Sequence, residues 1–89
     1  MIKTFAELKR ALTVGTELKL VWADNPDHKY LNTTRKVIKQ QTNAIKLDGG
    51  SWLGLGSTGE SAKNFTFQDN GFSVLDDNGK TYLVYEFIA

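Results

Sequence analysis

Three cations crowd one short stretch of the chain: Arg35, Lys36 and Lys39, within a β-branched segment centred on Val37 and Ile38. Lys19 and Lys46 fall on the segments expected to flank it, and Tyr30 and Trp52 lie close by in sequence. Guanidinium and ammonium groups on a sheet face neutralise phosphates, and aromatic rings beside them stack bases, so this set suits a nucleic-acid backbone. The same charges also serve a purely structural end, because lysines on an edge strand keep two sheets from pairing. Trp22 and Trp52 both lie in apolar strand patterns, for which burial is the default. The functional alternative sets one of them in a shallow groove with Tyr30 as a stacking platform. The candidate binding residues are therefore Arg35, Lys36, Lys39, Tyr30 and Trp52.

Other constellations fail on inspection. His28, the only histidine, sits with Asp24 and Asp27 and titrates near neutrality. All three share one turn-rich loop in which the aspartates already have a turn-forming role. Gly54-Leu55-Gly56-Ser57-Thr58-Gly59 matches the dinucleotide-binding pattern by letter. That pattern works only when a helix leaves it and aims amides at a pyrophosphate, and Glu60–Asn64 leaves no room for one. Gly79-Lys80-Thr81 lacks the earlier glycine of a phosphate-binding loop, since Val74 stands there. Asp76-Asp77-Asn78-Gly79 lacks the spacing and closing glutamate of a calcium loop. With no cysteine, thiol nucleophiles, zinc–thiolate sites and disulfides are excluded. No catalytic, cofactor-binding or metal-binding residue is assigned, and the chain reads as a non-enzymatic protein.

The elements that must position the candidate residues are short. Thr4-Phe5-Ala6-Glu7 has capping-box spacing, Phe5, Leu8 and Leu12 form one helical stripe, and Gly15 offers a left-handed stop. Glu17–Ala23 alternates as a half-buried strand with Leu18, Leu20 and Trp22 on one face. Pro26 and its neighbours break it. Thr33–Gln41 is a second strand, turned by Thr42-Asn43 into Ala44–Leu47. Ser51-Trp52-Leu53 makes a further short strand, and Ser61–Asn64 has room for one helical turn. Asn70-Gly71 and Asn78-Gly79 read as two-residue hairpin turns with positive φ. Counting outward from them pairs Phe67 with Val74, Val74 with Leu83, and Phe72 with Tyr85. Phe65, Phe67, Phe72, Val74, Leu83, Tyr85 and Phe87 then share the face of a three-stranded meander, with Asp77 opposite Lys80 at its tip. About six or seven short strands imply a mainly β (α+β) fold: a small SH3-like barrel or a strongly curved antiparallel sheet, with one N-terminal helix.

Eighty-nine residues make a single domain, 1–89, able to bury a modest core. The net charge of +1 conceals a split. Residues 1–47 carry nine basic and four acidic side chains, and residues 48–89 carry two basic and six acidic ones. Either the halves interleave on folding and the charges mix, or the surface is polarised toward a charged partner. No apolar stretch is long enough to cross a membrane, and the start of the chain has no secretory apolar core, so a cytoplasmic location is expected.

The run Thr34-Arg35-Lys36-Val37-Ile38-Lys39-Gln40-Gln41-Thr42-Asn43, followed by Ser51-Trp52-Leu53 and by Phe65 to Phe67, resembles a group of small proteins encoded by phages and prophages of Gram-positive bacteria. Those share an F-x-x-L-K helix, a basic R-x-V strand, an S-W-L element and a C-terminal meander. Members of that group often carry an aromatic and a proline after S-W-L. Here Gly54-Leu55-Gly56-Ser57 stands instead, so no shared site in this loop follows. The resemblance implies a mobile-element origin and no particular activity. The expectation is a binding module for a host or phage protein. Nucleic-acid binding by the basic strand and a structural role in a virion stand as alternatives.

Overall fold

The computed structural model describes residues 4–41, 44–54 and 64–88. One helix, α1 (Phe5–Ala11), precedes seven strands: β1 (Glu17–Ala23), β2 (Thr34–Gln41), β3 (Ala44–Leu47), β4 (Trp52–Gly54), β5 (Phe65–Gln68), β6 (Gly71–Leu75) and β7 (Thr81–Phe87). They form one antiparallel sheet in the order β4-β3-β2-β1-β7-β6-β5. The sheet is strongly curved but open, with β4 and β5 as its edges, so the curved-sheet expectation holds and the closed barrel does not. Strands β1–β4 occupy one half of the sheet and β5–β7 the other, with β1 paired to β7 where the two halves meet.

The Thr4 hydroxyl caps α1 by accepting from Glu7 N at 3.2 Å, while the Glu7 carboxylate accepts from that hydroxyl rather than from a backbone amide. Gly15 takes φ 99° and its amide donates to the Val37 carbonyl, tying the end of the helix segment to β2. Leu8 and Leu12 are fully buried; the Phe5 side chain lies outside the described residues. They join Leu18, Leu20, Val37, Ile45, Leu47 and Phe72, all at 0–1% exposure, in one core on the inner face of the sheet. Each such side chain contributes roughly 1.5–3 kcal/mol before conformational entropy is set against it.

The meander face is as expected, but both turns differ. Gln68 pairs with Gly71 and Phe67 with Phe72, so Asp69-Asn70 is the loop and Gly71 begins β6. Gly71 is needed for close approach and not for positive φ: a Cβ there would lie 2.0 Å from the Tyr85 carbonyl oxygen. The paired residues slip by two, and the shared face survives because the side-chain period is two. The second pairing is as counted, Val74 with Leu83 and Phe72 with Tyr85. Its turn is organised by Asp76, whose carboxylate accepts from Asn78 N and Lys80 N, with Gly79 at φ 79°. Asp77 forms no ion pair with Lys80 among the described residues.

Two register shifts redirect side chains. In β1 a shift between Leu20 and Trp22 sends Ala23 inward and Trp22 outward, leaving the indole 45% exposed instead of aligned with Leu18 and Leu20. In β2 a shift lies between Val37 and Lys39. The turn Thr42-Asn43, the helical turn proposed for Ser61–Asn64 and most of the glycine pattern fall in or against positions outside the described residues.

Candidate functional site

The five candidate residues do not form one cluster. Arg35 and Lys36 are neighbours on an extended strand, so their side chains leave opposite faces. Arg35 points inward with Val37 and is 6% exposed, whereas Lys36 is exposed. Lys36 lies opposite Glu17 and approaches its carboxylate at 3.9 Å, a surface pair of small consequence. The register shift then turns Lys39 outward, directly opposite Lys46, which is itself opposite Trp52. The Lys46 ammonium lies 5.6 Å from the centre of the Trp52 ring. Trp52 is 48% exposed, so burial fails for both tryptophans. Tyr30 and Arg35 thus belong to the inner side of the sheet and Lys36 and Lys39 to the outer, while Trp52, set beside Lys46, also reaches the pocket that Tyr30 and Arg35 line.

The inner group is the more completely built. Arg35 Cζ sits 3.7 Å from the centre of the Tyr30 ring, a close cation–π contact. Arg35 Nε donates to the Asp48 carbonyl at 2.9 Å, and Nη2 donates to the same oxygen. The Asp48 carboxylate is 3.5 Å from Nε but half exposed, so it offsets the buried charge only in part. Gly49 lets the β3–β4 turn come this close: at φ 87°, its Cβ would lie 3.2 Å from the Tyr30 hydroxyl and 3.4 Å from Arg35 Nη2. One edge of the guanidinium is therefore anchored. The three remaining N–H groups have no protein acceptor among the described residues. No buried side-chain nitrogen or oxygen there lacks a partner, so that free edge opens to solvent-accessible space.

That space is a pocket of about 400 Å³ between β4 and β7. Its lining includes Tyr30 and Arg35, Ser51 and Leu53 from β4 and its approach, and Tyr82 and Tyr85 from β7. Burial pushes the Tyr85 hydroxyl above its ordinary pKa, with Arg35 acting against this and Tyr82 adding to it. At neutral pH the phenol keeps its proton as a donor. Among the described residues the lining contains no Asp or Glu, and Arg35 is the permanent charge there.

No protein-family model, curated protein or solved structure matches this chain. The site is therefore read from its own geometry. An aromatic pocket often accepts a cation, but here the Tyr30 ring already has two, with Arg35 stacked on it and the Lys29 ammonium 5.3 Å from its centre. The pocket suits an anion. His28 lines it too, with Nδ1 accepting from Tyr30 N at 3.2 Å. No carboxylate orients that ring among the described residues, and no group of three metal-ligating side chains occurs there. Sequence reasoning missed Tyr82, Tyr85 and the Asp48 carbonyl. The parity of Arg35 with Val37 was the available signal, because one core residue at i+2 sends the arginine inward.

Proposed function

We propose that this chain is a non-enzymatic binding module that engages a partner protein through the pocket between β4 and β7. The observation that carries this reading is Arg35: a nearly buried guanidinium, anchored on one edge and free on the other, with no Asp or Glu among the described lining residues. Tyrosine, tryptophan and arginine gathered at a concave site are the side chains that dominate binding energy in protein interfaces. A host or phage protein as partner agrees with the resemblance to small phage-encoded proteins. Titration of the ¹⁵N-labelled chain with benzoate, benzamide and benzamidinium tests the pocket. Benzoate alone is expected to shift the amides of Arg35, Leu53 and Tyr85, and Arg35→Gln is expected to abolish this. Equal response to all three, or none, removes the reading.

One observation favours a second reading, nucleic-acid binding. Lys39 and Lys46 stand side by side on the outer face without an acidic partner among the described residues, next to the half-exposed Trp52. Two unneutralised cations beside an indole fit a single strand of phosphates and bases. An oligothymidylate titration reads it: shifts at these three residues that vanish with salt support it, and a silent spectrum discards it.

A further inference from the structure

We infer that the pocket receives a carboxylate carried on an extended acidic segment of a partner protein, laid as an added strand along the free edge of β4. The inference rests on the reading of the pocket as an anion site and adds the form of the ligand. β4 pairs only with β3 among the described residues, so its other edge offers unpaired backbone groups. The pocket lies along that edge, lined by Ser51, Leu53 and Gly54 on one side and by Tyr82, Leu83 and Tyr85 on the other. An added strand would lie about 4.8 Å from β4 with alternate side chains facing inward. Leu53 is the inward residue of β4, so the side chain set opposite it enters the pocket.

The donors there select the anion. Asp48 occupies the Nε–Nη2 edge of Arg35 and leaves Nη1 with the outer N–H of Nη2, two parallel donors in one plane. A carboxylate accepts such a pair in bidentate fashion. The Tyr85 phenol, which makes no hydrogen bond to another described residue, supplies a third donor. Among the described lining residues the one cation matches the single charge of a carboxylate better than a phosphate dianion. The cations on β1, β2 and β3, the strands next to β4 in the sheet, favour an acidic segment on this side of the molecule.

The test pans a randomised heptapeptide library on the full chain, in parallel with Arg35→Gln and Arg35→Lys, both verified as folded by their amide spectra. Enriched peptides are then synthesised in three forms: parent, acid replaced by carboxamide, and alternate amides N-methylated. The expected result is enrichment on the wild type of peptides with an acidic residue between β-branched or aromatic neighbours. The parent should shift the amides of Trp52 to Gly54 and weaken at least tenfold in the carboxamide form, in the N-methylated form and on Arg35→Gln. Arg35→Lys, which keeps the charge but loses the fork, should fall between. An N-methylated peptide that binds like the parent overturns strand addition while a positive benzoate titration leaves the pocket reading standing. No enrichment, or a carboxamide that binds equally, overturns the inference, and the benzoate result then decides whether the pocket reading falls with it. Self-association in sedimentation through the β4 edge, relieved by Arg35→Gln, overturns it in favour of a second copy as the occupant.

Discussion

Arg35 and Lys39 stand four residues apart on β2, yet they face different solvents. Arg35 lies on the inner face, stacked on Tyr30 and bonded to the Asp48 carbonyl, and its near-burial leaves it less screened by water. Lys39 lies on the outer face beside Lys46, where water and salt screen it. Composition alone would rank the two as equivalent cations. Their surroundings make one a positioned anion receptor and the other part of a diffuse field.

The sharpest way to break this comparison is to truncate matched pairs across the sheet. Val37→Ala, at a position with no exposure, should cost roughly 2–3 kcal/mol, and Ile38→Thr on the half-exposed side less than about 0.5 kcal/mol, in urea unfolding. Equal costs would mean that β2 does not have an inner and an outer face as described. Among the charges, Arg35→Gln should cost about 1–3 kcal/mol, because the Asp48 carbonyl loses a charged donor. Lys36→Gln, whose ion pair with Glu17 is exposed, should change stability by under about 0.5 kcal/mol. A larger effect at Lys36 than at Arg35 would invert the account.

Smaller effects sharpen the outer face and the pocket floor. Lys39→Glu replaces a like-charged cross-strand pair with an opposite one, and should stabilise the fold by roughly 0.2–1 kcal/mol at low salt. A loss of stability would show that Lys39 and Lys46 are not neighbours. Tyr85 carries a raised pKa in the folded state, so the folded protein holds that proton more tightly than the unfolded chain. Its contribution is fully present below about pH 10 and is lost as pH climbs through the higher folded value. Unfolding free energy should therefore fall with rising alkalinity in the wild type and fall less steeply in Tyr85→Phe. Parallel slopes would place the phenol in water.

Much of the fold was legible because alternation survives errors of register. The Asn70-Gly71 turn was misplaced, yet Phe65, Phe67, Phe72 and Val74 kept their common face because the slip was two residues. Shifts at Val21 and Ile38 could not be read, since a bulge leaves no composition signature in these strands. They moved Trp22 and Lys39 to the outer face against simple alternation. The candidate site was half legible. Tyr30 and Arg35 were picked out by type, but grouping Arg35 with Lys36 ignored that adjacent strand residues diverge. Asp48 was invisible because its anchoring atom is a backbone carbonyl, and Tyr85 because its ring belongs to the aromatic core while its hydroxyl does not.

The chain has only two arginines, Arg10 exposed on α1 and Arg35 in the pocket, which makes one measurement decisive. Side-chain Nε–Hε exchange with solvent, followed by NMR with and without benzoate, reads both groups at once. One signal should exchange slowly, move on addition of benzoate and vanish in Arg35→Gln, while the other exchanges fast and stays in place. Two signals that exchange alike and ignore the anion would contradict the division of β2 into a receptor face and a screened one.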